Sequence, residues 1–380
     1  MRFLITIFST VLSGMVLAQQ PGTLDPTFNP SDAGFGLGDG TWGGYVYAMA
    51  RQPDGKVIIG GQFGWHNGHI VGSLSRMNAD GTRDETFQIG QIVSGQVFAI
   101  ALQTDGKILL GGNFSSVNGV ARYCLARLNA DGSLDTGFDV GFNSMNETVI
   151  RSIAPQANGT IVIGGWFTSM GGVPRNNITR LLANGADDTN FDTGSGCSGQ
   201  VLAVRNTGSG RVLVVGEFDS FNGVPRGGIV RVNTNGSIDP GFAAGAGING
   251  GQIAALLERE DGSLYVGGRF TSFDGLPRQC TARLLANGTV DPTMGCRGTG
   301  SYREYGEREV HGGSSGWFLA HRWTVHDRWR HCQTLFCQAL QHRRMGPHVS
   351  RGYRVQRRDP YHAASARWQG ARWRRVRVLR

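Results

Sequence analysis

Lysine is almost missing from this 380-residue chain. Lys56 and Lys107 are the only two, so its 37 basic residues are nearly all arginine. Long apolar runs are missing as well. Phe3 to Val16 is the one such stretch, and it is too short to cross a bilayer, so no membrane span is expected. Between Tyr45 and Met294 there is no amphipathic helical stretch, which leaves strands as the regular structure. Between Tyr45 and Met294 the spacings of hydrolytic, metalloprotease and nucleotide-binding motifs (GxSxG, HExxH, a phosphate loop) are absent too.

What is present is repetition. Pro53-Asp54-Gly55 precedes an apolar run ending in Gly60-Gly61, and Thr104-Asp105-Gly106 precedes one ending in Gly111-Gly112. Asn158-Gly159, Ser209-Gly210 and Asp261-Gly262 hold the same place, at successive offsets of 51, 53, 51 and 52 residues. A fixed period of this length marks a repeat architecture whose units must stack to bury their apolar faces.

Within one unit the spacing is that of strands. Val97 to Leu102 is apolar, and Asp105-Gly106 then reads as a two-residue loop with positive φ in a tight hairpin. Ile108 to Leu110 follow without alternation, as in a strand covered on both faces. Gly111-Gly112 marks a bulge or a close backbone approach. Cys124 to Leu128 and Leu134 to Phe138 complete four short strands in a unit of about 50 residues, the signature of a propeller blade. The fold class is therefore all-β, a β-propeller with five intact blades over residues 45–295.

This pattern resembles the delta-60 repeat family, a β-propeller-like family of unknown function in bacterial secreted proteins. The resemblance rests on PDGKVIIGGQF (Pro53 to Phe63), TDGKILLGGNF (Thr104 to Phe114) and EDGSLYVGGRF (Glu260 to Phe270). The unit ends RLNADGSLDTGF (Arg127 to Phe138) and RLLANGTVDPTM (Arg283 to Met294) support it. It implies the fold and an exported location, and it brings no catalytic or binding residues.

Residues 1–18 read as a secretory signal: Arg2, then the apolar Phe3 to Val16, then Val16-Leu17-Ala18 before a cut after Ala18. The mature chain would be secreted, periplasmic or on the cell surface. Residues 19–44 hold Thr23 to Phe28, which matches the last strand of a unit with no blade to own it, followed by a linker. Such a strand closes a propeller when the other terminus supplies the rest of its blade.

After Met294 the repeat disappears. Residues 297–380 carry 18 arginines against 5 acids, while residues 1–296 carry 19 basic residues against 23 acids. We read 296–380 as repeats translated in a shifted frame, and expect this basic tail to be disordered or poorly structured. Arg-Trp encoded CGATGG gives Asp-Gly one base later. Ala366 to Gly370 can then decode to Pro-Asp-Gly-Lys-Val, the sequence of Pro53 to Val57. This reading weakens two apparent sites in the tail. His326, His331, Cys332, Cys337 and His342 lack the spacing of a zinc site, and Arg367 to Arg380 only imitates a nucleic-acid arm.

Weak signals remain in the body. Asn129 to Asp135, Asn78 to Asp84 and Asn233 to Asp239 resemble acidic calcium loops but miss the EF-hand spacing, so turn chemistry is the expectation. Arg122, Arg175, Arg226 and Arg278 recur once per blade and are expected to make loop-to-blade hydrogen bonds, with a ring of anion-binding arginines as the other reading. His66 and His69 read as surface histidines. Cys124 and Cys280 hold equivalent places three blades apart, so they read as small buried hydrophobes and no disulfide framework is expected; Cys197 lies in a loop and Cys296 beyond the last repeat.

No catalytic, cofactor-binding or metal-ligating residue stands out, and no cofactor is expected. Because the loops are themselves repeated (MGGVPR, FNGVPR, FDGLPR), the sequence favours a non-catalytic binding or scaffold module. Its partner would be a protein or a glycan, not nucleic acid, and the chain monomeric. The alternative is a propeller enzyme, a lyase or glycan hydrolase, with its site at the channel mouth.

Overall fold

The computed structural model describes residues 40–88, 95–141 and 148–294. The signal, the Thr23 to Phe28 strand, Cys296 and the whole basic tail lie outside them. Within the described residues each unit is an antiparallel meander of three strands. The first strands are Tyr45–Arg51, Gly95–Leu102, Val149–Pro155, Gln200–Asn206 and Gln252–Glu258. The middle strands are Val57–Gln62, Ile108–Phe114, Ile161–Trp166, Val212–Glu217 and Leu264–Arg269. The third strands are Leu74–Met77, Leu125–Leu128, Ile178–Leu181, Ile229–Val232 and Thr281–Leu284. The fourth strand of each blade is short, pairing with the third through one bridge such as Leu128 to Leu134. A two-stranded hairpin, for example Ser116–Val117 with Val120–Ala121, fills the loop between middle and third strands.

The Asp-Gly turn differs from the two-residue loop its sequence predicts. Gln103 N–H donates to Lys107 O at 2.9 Å and Gly106 N–H to Gln103 O at 3.0 Å. Only Gly106 has positive φ, at +84°. This is a type I turn closed by a glycine bulge, and Asp105 serves it from outside the left-handed region by accepting Lys107 N–H at 3.1 Å.

Successive blades touch through their first strands. Leu109 of the second blade packs on Ile150 and Ile163 of the third, all fully buried, and each such side chain contributes about 1.5–3 kcal/mol. The Gly-Gly pair makes this packing possible. A Cβ on Gly111 would lie 2.7 Å from Cγ2 of Ile150 in the next blade, and one on Gly112 only 1.9 Å from the backbone oxygen of Gln96. The close approach expected at these glycines is therefore real on both sides.

An arginine on each third strand fastens the junction. Arg127 Nε donates to Asp135 Oδ2 at 2.7 Å, its guanidinium lies 4.5 Å from the Phe138 ring, and Nη1 donates to Ala183 O in the following blade. Arg76, Arg180 and Arg231 repeat this clamp with Asp84, Asp188 and Asp239, each reaching the next blade's turn. Among the described residues no blade covers the other side of the first one. Val97, Ile150, Val201 and Ile253 are fully buried, but the equivalent Val46 is 39 % exposed, and Met49 near it is 70 % exposed. Thr41–Trp42, within the segment read as linker, pairs with Trp65–His66 of this same blade.

Candidate functional site

Each first strand bulges opposite the Gly-Gly pair, or opposite Val215-Gly216 in the fourth blade. The ladder jumps from Val97, opposite Gly112, to Ala99, opposite Gly111, leaving Phe98 unpaired. The same shift singles out Tyr47, Arg151, Leu202 and Ala254 in the other blades. A bulge re-aims one side chain out of the pleat. Most of the blade repeats, yet this position differs in every copy.

Three of these residues meet. The rings of Tyr47 and Phe98 lie 5.1 Å apart, and Tyr45 stacks on Tyr47 with centroids 6.1 Å apart. Arg151 lays its guanidinium 4.7 Å from the centre of Phe98. Tyr45 and Tyr47 are largely exposed, Phe98 and Arg151 half-buried. Burial lowers the Arg151 pKa from its ordinary value, with the Tyr47 hydroxyl opposing that shift. Among the described residues no carboxylate pairs with Arg151, and its buried Nε has no partner. The other half-buried arginines that reach an aspartate serve the fold; Arg151 touches only an aromatic ring.

The aspartates whose pKa is displaced are committed to structure. Asp84 sits where burial would raise its pKa, but bonds from Lys56, Thr86 and Arg76 outweigh it and hold the carboxyl well below the usual range. Asp80, Asp131 and Asp261 are lowered by the Thr82, Ser133 and Ser263 hydroxyls that they accept. The supposed calcium loops are thus occupied turns: Asp131 Oδ1 takes Ser133 N–H at 2.9 Å and its hydroxyl at 2.7 Å. Among the described residues no three His, Cys, Asp or Glu side chains are placed to hold a metal.

Arg175 and Arg278 make the expected loop-to-blade bonds, Arg175 to Asp187 through Nε and Nη2 at 3.1 and 2.7 Å and Arg278 through Nη2 to Asp291 O at 3.2 Å, while Arg122 and Arg226 donate to the carbonyl just before them within the loop. His66 is a correction. It is 1 % exposed, where the other blades carry Val117, Met170, Phe221 and Phe273, and its Nδ1 lies 2.8 Å from Ser75 Oγ. Burial, then Arg83 and His69, lower its pKa to about 4. His69 is exposed, as expected. No disulfide joins Cys124, Cys197 or Cys280, and burial raises the Cys124 thiol to about 11. Cys124 and Cys280 also occupy a left-handed backbone position, φ +59° and +62°, shared with Ser73 and Asn177.

A second concavity of about 400 Å³ opens between the third and fourth blades, lined by Trp166, Asn176, Asn177, Cys197, Ser198 and Ser220. Its polar groups are largely engaged: Asn177 bonds Phe167 N–H and Cys197 O, and Ser198 Oγ accepts Asp219 and Ser220 N–H.

Five stretches, residues 52–87, 103–138, 156–191, 208–242 and 259–293, match one family model, described as a domain of unknown function (DUF5122) beta-propeller. The chain is a β-propeller repeat protein. Among solved structures, this propeller is similar to a protein of unknown function from Bacteroides caccae at 16 % identity and TM-score 0.41, covering 66 % of this chain and 81 % of that one. It is also similar to the Neurospora crassa Pan2 WD40 domain at 15 % identity and TM-score 0.42, covering 65 % of each chain. A third is a catalytically inactive virginiamycin B lyase from Staphylococcus aureus, at 12 % identity and TM-score 0.39, covering 66 % and 70 %. No curated protein matches the sequence. No helix of the described propeller is long and apolar enough to cross a membrane.

Proposed function

We propose that this propeller is an exported, non-catalytic binding module of the delta-60 kind, monomeric, with a glycan or a protein as its ligand and the Tyr45–Tyr47–Phe98–Arg151 surface as its recognition site. One observation carries the reading. At the one bulge position that differs in every blade, the first three blades carry Tyr47, Phe98 and Arg151, the last two Leu202 and Ala254, and none carries an acid–base pair. A carboxyl that serves as general acid at neutral pH needs its pKa raised toward 7. Every carboxyl shift found among the described residues is downward instead.

Export follows from Val16-Leu17-Ala18, and the basic tail from a frame change near codon 295. Glycan and peptide arrays probed with the mature protein and with Tyr47→Ala test the module. A ligand held by the wild type and lost by the variant is expected; turnover of that ligand would overturn the non-catalytic reading. Amino-terminal sequencing of secreted material should begin at Gln19. The gene's alternative frame beyond codon 295 should encode further Gly-Gly-x-Phe repeats.

A further inference from the structure

Among the described residues Arg151 is a half-buried guanidinium with neither a carboxylate nor a carbonyl to bond; Arg226 and Arg278, which also lack a carboxylate, donate to backbone carbonyls instead. Arg76, Arg127, Arg180 and Arg231 each stand over a phenylalanine as Arg151 does, and each also holds an aspartate. Arg151 keeps the ring contact and, among the described residues, has no acid beside it. Removing a cation from water without a counter-charge costs free energy, so such a group persists where an anion arrives from outside. Its geometry suits one. A guanidinium stacks on a ring with its face, leaving the in-plane N–H edge for two parallel bonds to a carboxylate. Tyr47 and Tyr45 extend that platform into solvent as flat faces of the kind that pack on the apolar side of a sugar ring.

We infer that this surface binds an acidic saccharide: a uronate whose ring lies on Tyr45 and Tyr47 and whose carboxylate completes Arg151. The inference rests on the binding-module reading and goes further by fixing the class of ligand. A peptide carboxylate offers the same charge but no ring to fill the tyrosine shelf.

The test is calorimetric titration of the full mature chain with trigalacturonate and with its methyl ester, which keeps the rings and removes the charge. Arg151→Gln leaves the 18 arginines after residue 296 untouched, so it separates this site from general attraction of anions to the tail. We expect the variant and the methyl ester each to lose about 10-fold or more in affinity, the loss of one charge-assisted pair. Tyr47→Ala should weaken both sugars. Thermal melting gives an independent readout: Arg151→Gln should melt at the same temperature as the wild type or higher, because it removes an uncompensated charge. Equal binding by Arg151→Gln, equal binding of the methyl ester, or no binding of trigalacturonate would each overturn the acidic-sugar claim. The module reading would survive if Tyr47→Ala still abolished capture of another ligand. If neither variant changed any binding, both would fall.

Discussion

Arg180 offers the sharpest test of what holds the blades together. Its Nε bonds Asp188 Oδ2 at 2.7 Å, its face covers Phe191 at 4.8 Å, and Nη1 donates to Thr234 O of the fourth blade. Arg180 and Asp188 are 8 % and 4 % exposed. Truncation to alanine leaves Asp188 with only the donors of Asn190 and no cation. Breaking a buried pair this way costs about 3–5 kcal/mol, and the lost carbonyl and ring contacts place Arg180→Ala near the upper end. Arg127 occupies the same position one blade earlier, but Asp135 there also holds Lys107 at 2.8 Å. Arg127→Ala should therefore cost less, about 2–3 kcal/mol for the carbonyl and ring contacts.

Urea unfolding measures both, since urea adds no ions to screen the pair. Arg180→Ala/Asp188→Asn should recover about 2 kcal/mol by removing the stranded charge. pH supplies a further check. In the wild type, burial would raise the Asp188 pKa, but Arg180 and Asn190 outweigh it and hold it below its ordinary value. Its stabilisation is thus complete above the ordinary carboxylate pKa and lost as pH falls through the depressed folded one. In Arg180→Ala burial goes unopposed by the arginine, so the variant's deficit should narrow on acidification. Equal losses at Arg127 and Arg180, or no rescue by Asp188→Asn, would refute the clamp as described.

Three other outcomes follow from the same packing. His66 has a folded pKa of about 4, below its unfolded value, so its contribution is present above about pH 6.5 and lost as pH falls through 4; His66→Met, the residue type at Met170, should flatten stability between those limits. Gly112→Ala should unfold the chain more severely than Gly111→Ala, because the first meets backbone and the second a movable Ile150. The fourth blade tolerates Val215 at the Gly111 position, so that substitution should cost only about 1–3 kcal/mol. In hydrogen exchange, amides of Tyr45–Arg51 should exchange faster than those of Gly95–Leu102, since Val46 and Met49 are exposed where Val97 is buried.

The sequence made the blade legible because its signals are local and repeated. The period, the Asp-Gly turns and the Gly-Gly pairs each report a backbone demand that recurs wherever the same contact recurs. The clamp leaves a local trace, Arg127 eight residues before Asp135, but that spacing alone does not tell an ion pair from two solvated charges. Nothing local reveals that Nη1 of Arg127 ends on Ala183 in another blade. Histidine is polar by type, but the register of His66 with Val117 and Phe221 places it in the core. The Tyr47–Phe98–Arg151 contact was invisible for a further reason. A bulge shifts each residue off the alternation from which faces are read, and the three meet only when neighbouring blades stack.

The clamps also have a direction in time. Each arginine fastens its own blade to a carbonyl in the turn of the next, 54 residues further on for Arg76 and Ala130. During synthesis, which proceeds at about 5–20 residues per second, a blade leaving the ribosome folds its strands first. It is latched only several seconds later, when its successor's turn emerges. The array thus locks from behind, and the blade most recently made is always the one still unlatched.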